Sequence, residues 1–278
     1  MVDAYTFGHP TSLSERESSA LLHESCMSFD FTVAQDGTGN FTTITDAIDS
    51  APCGSATPFF IHVKAGHYSE NVIVGVYGDG FIRMKMTNRN SAGAGAGQAA
   101  ALTSGASFVT FYLCRFEGYQ DTVFSQYGVQ FFRECEVFGT IDFIFGDGQA
   151  YSQNSVIYAR LPVSGQEITI LAPDPQGWLQ WDGTTVYFAE YNNRGPAANS
   201  IGMVNWLNAI NDREVISKFT VRNFIQGDKW IPTNKGCGGV VGTPSSLTEV
   251  SSSSPGYGVA FVMERFTPTM RLPGANPN

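Results

Sequence analysis

Phe111-Tyr112-Leu113-Cys114-Arg115-Phe116-Glu117-Gly118-Tyr119-Gln120-Asp121-Thr122-Val123-Phe124 is echoed by Phe132-Arg133-Glu134-Cys135-Glu136-Val137-Phe138-Gly139-Thr140-Ile141-Asp142-Phe143-Ile144-Phe145. Phe, Cys, Gly, Asp and Phe each recur after 21 residues: Phe111 with Phe132, Cys114 with Cys135, Gly118 with Gly139, Asp121 with Asp142, Phe124 with Phe145. A short fixed period marks a solenoid, in which each coil repeats the one before and residues one period apart stack. Asp121 and Asp142 are therefore expected to be neighbours on adjacent coils. Stacked carboxylates repel, which drives one of them toward its protonated form.

The rest of the composition agrees with many short strands. The chain has 278 residues, enough for one large or two ordinary domains, and 42% are hydrophobic, enough for a core. Thirty glycines, many aromatics and only 15% charged residues favour strands and turns over helices. The formal charge of −9 argues against nucleic acid and against a strongly anionic polymer. A substrate whose acids are masked suits this surface better. No run approaches the ~18 apolar residues of a membrane helix, so no membrane partner is expected. Met1 to Cys26 has no basic segment followed by an apolar run, so no secretory signal is visible.

The five cysteines include no C-x-x-C pair and the four histidines are scattered, so no metal site is expected. Cys114 and Cys135 hold equivalent places in the repeat, which makes them a disulfide candidate; the other reading is a ladder of buried thiols.

Along the chain, residues 1–30 read as an irregular segment, 31–241 as the solenoid domain, and 242–278 as a Ser/Pro/Gly-rich, loosely ordered tail. Phe31 to Ala34 and Phe59 to Val63 read as strands, and Thr43 to Ala51 as a short helix with Ile44, Ala47 and Ile48 at helical spacing. Such a helix would cap the open end of the solenoid. The Gly/Ala run from Ala92 to Gly97 reads as a loop between coils, since no G-K-[ST] follows. Strands resume at Thr185 to Phe188 and at Phe219 to Val221.

Gln98 precedes Gln120 by 22 residues, so Gln98, Gln120, Asp121 and Asp142 are expected to cluster across three coils. Two carboxylates and two amides suit acyl transfer: one carboxylate attacks a carbonyl, the other moves a proton, and the amides hold the oxyanion. Glycoside hydrolysis would leave the amides without an oxyanion. The plainer reading is a hydrogen-bonded corner ladder. Tyr119, Phe124, Tyr127, Trp178 and Trp181 are candidates to line a sugar cleft, or else to fill ordinary packing positions.

These residues carry a resemblance to the plant pectin methylesterase family. Gly37 to Ile44 resembles its opening turn, and Gly66-His67-Tyr68-Ser69-Glu70 its G-x-Y-x-E segment. Gln98 to Leu102 resembles Q-A-V-A-L, Gly118 to Thr122 matches G-Y-Q-D-T, and Asp142 to Gly146 matches D-F-I-F-G. The resemblance implies an all-β fold, a right-handed single-stranded parallel β-helix with a short N-terminal capping helix. It implies hydrolysis of pectin methyl esters to pectate and methanol without a cofactor. Asp142 would be the nucleophile, Asp121 the acid and then the base, and Gln98 and Gln120 the oxyanion donors. Gln98, Tyr119, Phe124 and Trp181 would contact the sugar chain. Expected partners are pectin (homogalacturonan) and a proteinaceous pectinesterase inhibitor. The chain would be monomeric, secreted to the cell wall, with Asn40-Phe41-Thr42 as a glycosylation sequon.

Two departures from the family pattern stand out. Gly78-Asp79-Gly80-Phe81 follows Val74 almost at once, and Gly177-Trp178 follows Gln176 directly. The second gap removes an L-G-R-P-W motif, whose Arg would hold the nucleophilic Asp. Arg160 lies near that gap but in a different segment. Two alternatives therefore stand beside the esterase: a catalytically impaired pectin-binding or structural solenoid, and a backbone-cleaving pectinase of the same fold.

Overall fold

The computed structural model describes residues 2–6, 28–57, 59–70, 75–166, 168–172, 186–191, 207–210, 212–231 and 260–265. The chain begins with β1 (Val2–Thr6), β2 (Phe31–Val33), β3 (Ile61–Val63) and β4 (His67–Glu70). The stack of coils follows. The first coil is β5 (Gly75–Val76), β6 (Ile82–Met84) and β7 (Met86–Asn90). The second is β8 (Leu102–Gly105), β9 (Val109–Tyr112) and β10 (Arg115–Glu117). The third is β11 (Val123–Tyr127), β12 (Val129–Arg133) and β13 (Glu136–Gly139). The fourth is β14 (Ile144–Phe145), β15 (Gln149–Gln153) and β16 (Val156–Ala159), and β17 (Leu171–Ala172) opens a fifth. The strands β18 (Val186–Tyr191), β19 (Leu207–Ile210) and β20 (Ala260–Arg265) complete the set.

Like strands of successive coils pair in parallel. β5, β8, β11, β14 and β17 form one sheet, β6, β9, β12 and β15 a second, and β7, β10, β13 and β16 a third. This is a three-sided parallel β-helix, as the 21-residue period predicts. The period is the register itself: Arg115 pairs with Glu136, Val123 with Ile144 and Phe132 with Phe111. The repeated aromatics stack, Phe111 on Phe132 with centroids 4.9 Å apart, and Phe124 on Phe145 at 4.5 Å.

Alternation along each strand sends one set of side chains inward. Leu102, Val123, Ile144 and Leu171 come from the first sheet, Val109, Phe111 and Phe132 from the second, and Phe116 and Val137 from the third; all are buried in one cluster. Each large side chain so buried contributes about 1.5–3 kcal/mol. The corner between the second and third sheets is turned in every complete coil by a left-handed residue: Lys85, Leu113, Glu134 and Asn154, with φ of 54, 53, 51 and 53°.

The helix Ile44–Asp49 forms as expected, with the Thr43 hydroxyl capping the Asp46 amide. Ile44 and Ala47 are buried against Val33 and Tyr68, whereas Ile48 faces solvent. Both Glu70 carboxylate oxygens bind its first turn, Oε1 accepting from Ile44 N at 2.8 Å and Oε2 from Thr45 N at 2.9 Å.

Four expectations are corrected. Part of the 1–30 segment is strand: β1 lies antiparallel to β4, its Val, Tyr and Thr being strong strand formers. Part of the 242–278 tail is strand too, for β20 lies antiparallel to β15 and β18. The Ser/Pro-rich stretch stops at Pro255, and the apolar Ala260-Phe261-Val262 beyond it can pair. Phe219 to Val221 is no strand: Thr220 caps the helix Val221–Ile225 by accepting from Asn223 N at 3.1 Å. That helix covers the outer face of the second sheet, with Val221 and Ile225 packed beside Phe131 and Tyr151.

The fourth correction is the disulfide. Cys114 and Cys135 are buried free thiols. Cys114 Sγ donates to the Arg83 carbonyl at 3.4 Å, and Cys135 Sγ to the Phe111 carbonyl at 3.3 Å. Stacked positions of parallel coils lie about 4.8 Å apart with side chains pointing the same way. A disulfide needs Cβ atoms at roughly 3.5–4.5 Å and converging. Of the two readings, the thiol ladder is the one present.

Candidate active site

After β10 the chain turns through Gly118 to Thr122 before entering β11. One coil later it turns through Gly139 to Phe143. The glycines open both turns because nothing larger fits: a Cβ on Gly118 would lie 2.6 Å from Thr122 Oγ1, and one on Gly139 2.1 Å from Phe143 Cβ. The turns are laced together, Gly118 N donating to Phe138 O at 3.0 Å, Thr140 N to Tyr119 O at 2.8 Å and Asp121 N to Ile141 O at 2.9 Å. The Thr122 hydroxyl adds a bond to Phe138 O at 3.1 Å. In each turn the aspartate itself is left-handed, φ 62° at Asp121 and 46° at Asp142. Aspartate tolerates this region better than most residues, and strain of this kind gathers at functional sites.

The lacing stacks Asp142 on Asp121. Gln98 pairs in parallel with Gln120, and Ala99 N donates to Gln120 O at 3.2 Å. Gln98, the Gln120–Asp121 pair and Asp142 thus sit on three successive coils, as the sequence predicts. Their exposure differs: Asp121 is buried, Gln120 and Asp142 are partly exposed, and Gln98 is exposed.

The two carboxyls differ in kind. Burial pushes the Asp121 pKa up to about 6, Asp142's negative charge adds to this, and a hydrogen bond with the Gln98 side chain opposes it. The Asp121 Oδ1 atom is buried with no hydrogen-bond partner among the described residues. A charge there would be costly, whereas a proton makes the group a donor ready to be used. Asp142 keeps its contact with water. One carboxyl is thus suited to hold a proton and the other to attack.

Behind the turn lies an ion cluster that sequence reasoning missed. Glu117 is buried and meets Arg89 Nε at 2.6 Å, Arg115 Nε at 2.5 Å and Arg160 Nη2 at 3.3 Å. Burial pushes the Glu117 carboxyl up, but the bonds and charges of Arg89 and Arg115 outweigh it and hold it below the usual range. Arg160 also donates through Nη1 to Gly118 O at 3.1 Å and lies over the Tyr119 ring, 5.1 Å from its centroid. Arg160 therefore braces the turn that carries Gln120 and Asp121. The signal was in the register: β10 places Glu117 opposite Arg89, and Arg115 opposite Glu136.

Of the expected sugar contacts, Tyr119 belongs to the same turn as the acid, and Phe124, on the outer side of β11, lies flat on Phe145 with 5° between planes. Trp178 and Trp181 lie outside the described residues.

Comparison with known proteins agrees. A pectinesterase family model matches residues 30–76, 72–174 and 171–228. Its pieces meet close to the two gaps read in the sequence. A probable pectinesterase/pectinesterase inhibitor of Arabidopsis thaliana is 34% identical, over 77% of this chain and 60% of its own length. Pectinesterase 2 of Citrus sinensis is 31% identical, over 72% of this chain and 58% of its own. The first alignment runs over 310 positions, more than the 278 residues of the whole chain, so that relative carries segments this chain lacks. The chain spans about 60% of the length of these curated relatives. A solved pectin methylesterase from carrot superposes with a TM-score of 0.62 at 27% identity, over 74% of this chain and 95% of that one. The stacked carboxylates, the β-helix and these matches lead to one conclusion: the chain belongs to the pectinesterase family.

Proposed function

We propose that this chain removes methyl esters from galacturonate units of pectin, giving pectate and methanol. The observation that carries the reading is the pairing of a buried, proton-holding Asp121 with a solvated Asp142 one coil away. Asp142 attacks the ester carbonyl carbon, and the electron pair of the C=O bond moves to oxygen. The Gln98 and Gln120 side-chain amides donate to that oxyanion. As the tetrahedral intermediate collapses, the bond to the methoxy oxygen breaks and Asp121 gives it a proton, releasing methanol. Asp142 is then joined to the substrate as an anhydride. Water attacks the acyl carbon, Asp121 takes one of its protons, and collapse frees the Asp142 carboxylate and the galacturonic acid, which loses its remaining proton to solvent. Each group ends as it began.

Pectin is the polymer partner under this reading, and secretion to the cell wall and binding of a proteinaceous inhibitor belong to the same proposal. Methanol release from methylated pectin tests it. Release that disappears in Asp142→Asn supports the reading. Shorter chains with new reducing ends and no methanol would instead mean backbone cleavage, and no turnover by the parent chain would leave a non-catalytic solenoid.

A further inference from the structure

The first sheet carries a second feature on its outer face, beyond the catalytic group. Along β11, Val123 and Ser125 are buried and Phe124 lies on the outer side. Strict alternation would send Tyr127 inward. It does not, because the register slips between Ser125 and Tyr127: Ser125 pairs with Ser104 and Tyr127 with Gly105, which makes Gln126 one residue extra. This is a β-bulge, and its effect is to re-aim a side chain. Tyr127 is left 52% exposed.

A second tyrosine meets it from two coils below, across Gly105 of the coil between. Tyr77 follows the buried Val76 of β5 and is 62% exposed. Both rings converge over Gly105: a Cβ there would lie 2.9 Å from Tyr127 Cε1 and 3.1 Å from Tyr77 Cε1. The same point is 2.9 Å from Gln126 Oε1, an oxygen that is buried with no hydrogen-bond partner among the described residues. Two exposed aromatic rings therefore meet on a floor of glycine, with the Gln126 amide oxygen buried beneath them.

We infer that Tyr77 and Tyr127 form a distal sugar subsite of the galacturonan groove, in which one ring of the polymer lies against the tyrosine faces. The inference rests on the reading of this face as pectin-binding and adds a subsite to it. The occupant follows from continuity. Phe124 and Tyr127 share one strand that begins two residues after Asp121; across the bulge they pair with Thr103 and Gly105, two strand steps or about 7 Å apart. That is further than one sugar ring reaches, so a bound chain must extend past the catalytic pair to touch both. Aromatic faces with a polar tip suit a ligand that is apolar on its ring faces and polar at its rim.

The test is binding of partly methylated oligogalacturonates of three and six units, by calorimetry, on the full chain carrying Asp142→Asn so that nothing turns over. Tyr77→Ala and Tyr127→Ala should each weaken the six-unit ligand by about tenfold and leave the three-unit ligand unchanged. Tyr127→Phe should keep parental affinity, because it keeps the ring. Both tyrosines are exposed, and circular dichroism checks that the variants fold. Parental affinity of both alanine variants for the six-unit ligand would overturn the subsite, and so would an equal loss for both lengths. Methanol release by the chain with Asp142 intact is scored separately: release alongside unaffected tyrosine variants refutes the subsite alone. Absence of both methanol and oligomer binding refutes the pectin reading and the subsite with it.

Discussion

Arg160 holds Glu117 through Nη2 at 3.3 Å while its Nη1 holds the carbonyl of the next residue, Gly118, at 3.1 Å. One guanidinium thus ties a buried charge to the first residue of the turn that carries Gln120 and Asp121. The Glu117 carboxylate also gathers Arg89 and Arg115, so three cations meet on one anion, and Arg115 reaches Glu136 at 2.9 Å as well. Glu117→Ala should take this shared partner from guanidiniums that are 24–46% exposed, so water offsets part of the loss, and the chain should be destabilised by about 1–3 kcal/mol. Glu117→Gln, which keeps the shape and part of the bonding, should cost less. Chemical denaturation of the two variants checks the order.

The raised Asp121 pKa makes two statements about pH. A carboxyl whose folded pKa is about 6, against roughly 3.9 when unfolded, binds more protons in the native state between those values. Stability from this group is therefore present at low pH and is lost as pH rises from about 4 through 6. Asp121→Asn should flatten that part of a melting-temperature profile. Under the proposed mechanism Asp121 starts protonated, so kcat/KM should fall above about pH 6. Gln98 opposes the rise through its hydrogen bond, so Gln98→Ala should move that alkaline limb to higher pH. The same variant should lower kcat by about 100- to 1,000-fold if the Gln98 amide donates to the oxyanion.

Gly139→Ala should damage the turn that carries Asp142. Its new Cβ would meet Phe143 Cβ at 2.1 Å, and Phe143 is fully buried. Neither atom can give way without moving the backbone at Asp142, so a loss of about 1–3 kcal/mol is expected, together with a drop in kcat. Ala at Gly37, where a Cβ meets nothing within 4 Å, is the control for glycine entropy, although its φ of 77° carries a strain of its own.

The thiol ladder is open to direct chemistry. Unfolding the chain in denaturant without reductant and alkylating it should label both Cys114 and Cys135, as read by peptide mapping. Native protein should protect them, because both are buried. Recovery of a linked Cys114–Cys135 peptide would contradict the structure.

How much of this was legible beforehand depends on whether the feature repeats. Asp121 and Asp142, the glycines that open their turns, and the Phe124–Phe145 stack all recur at the period, and the period is the coil. Features without an echo were hidden. The left-handed corners at Lys85, Leu113 and Glu134 use residues that do not advertise that conformation, and only Asn154 among the four is a familiar choice. The bulge at Gln126 leaves no mark in residue type, since it is a slip of pairing. Strand propensity misled at Phe219 to Val221, where Thr220 serves as a helix cap. The Glu117 cluster needed the register of three strands, which no single stretch of sequence supplies.

The backbone bonds that place Gln98, Gln120 and Asp121 run between adjoining coils. The matched piece 72–174 contains those coils whole, and both breaks fall outside them. A stack built this way is insulated from editing at its ends, as a zip keeps its middle teeth engaged when cloth is cut from the margins. Solenoid length and active-site geometry can then vary independently, and a coil added beyond β17 or removed before β5 should leave the carboxylate pair where it is.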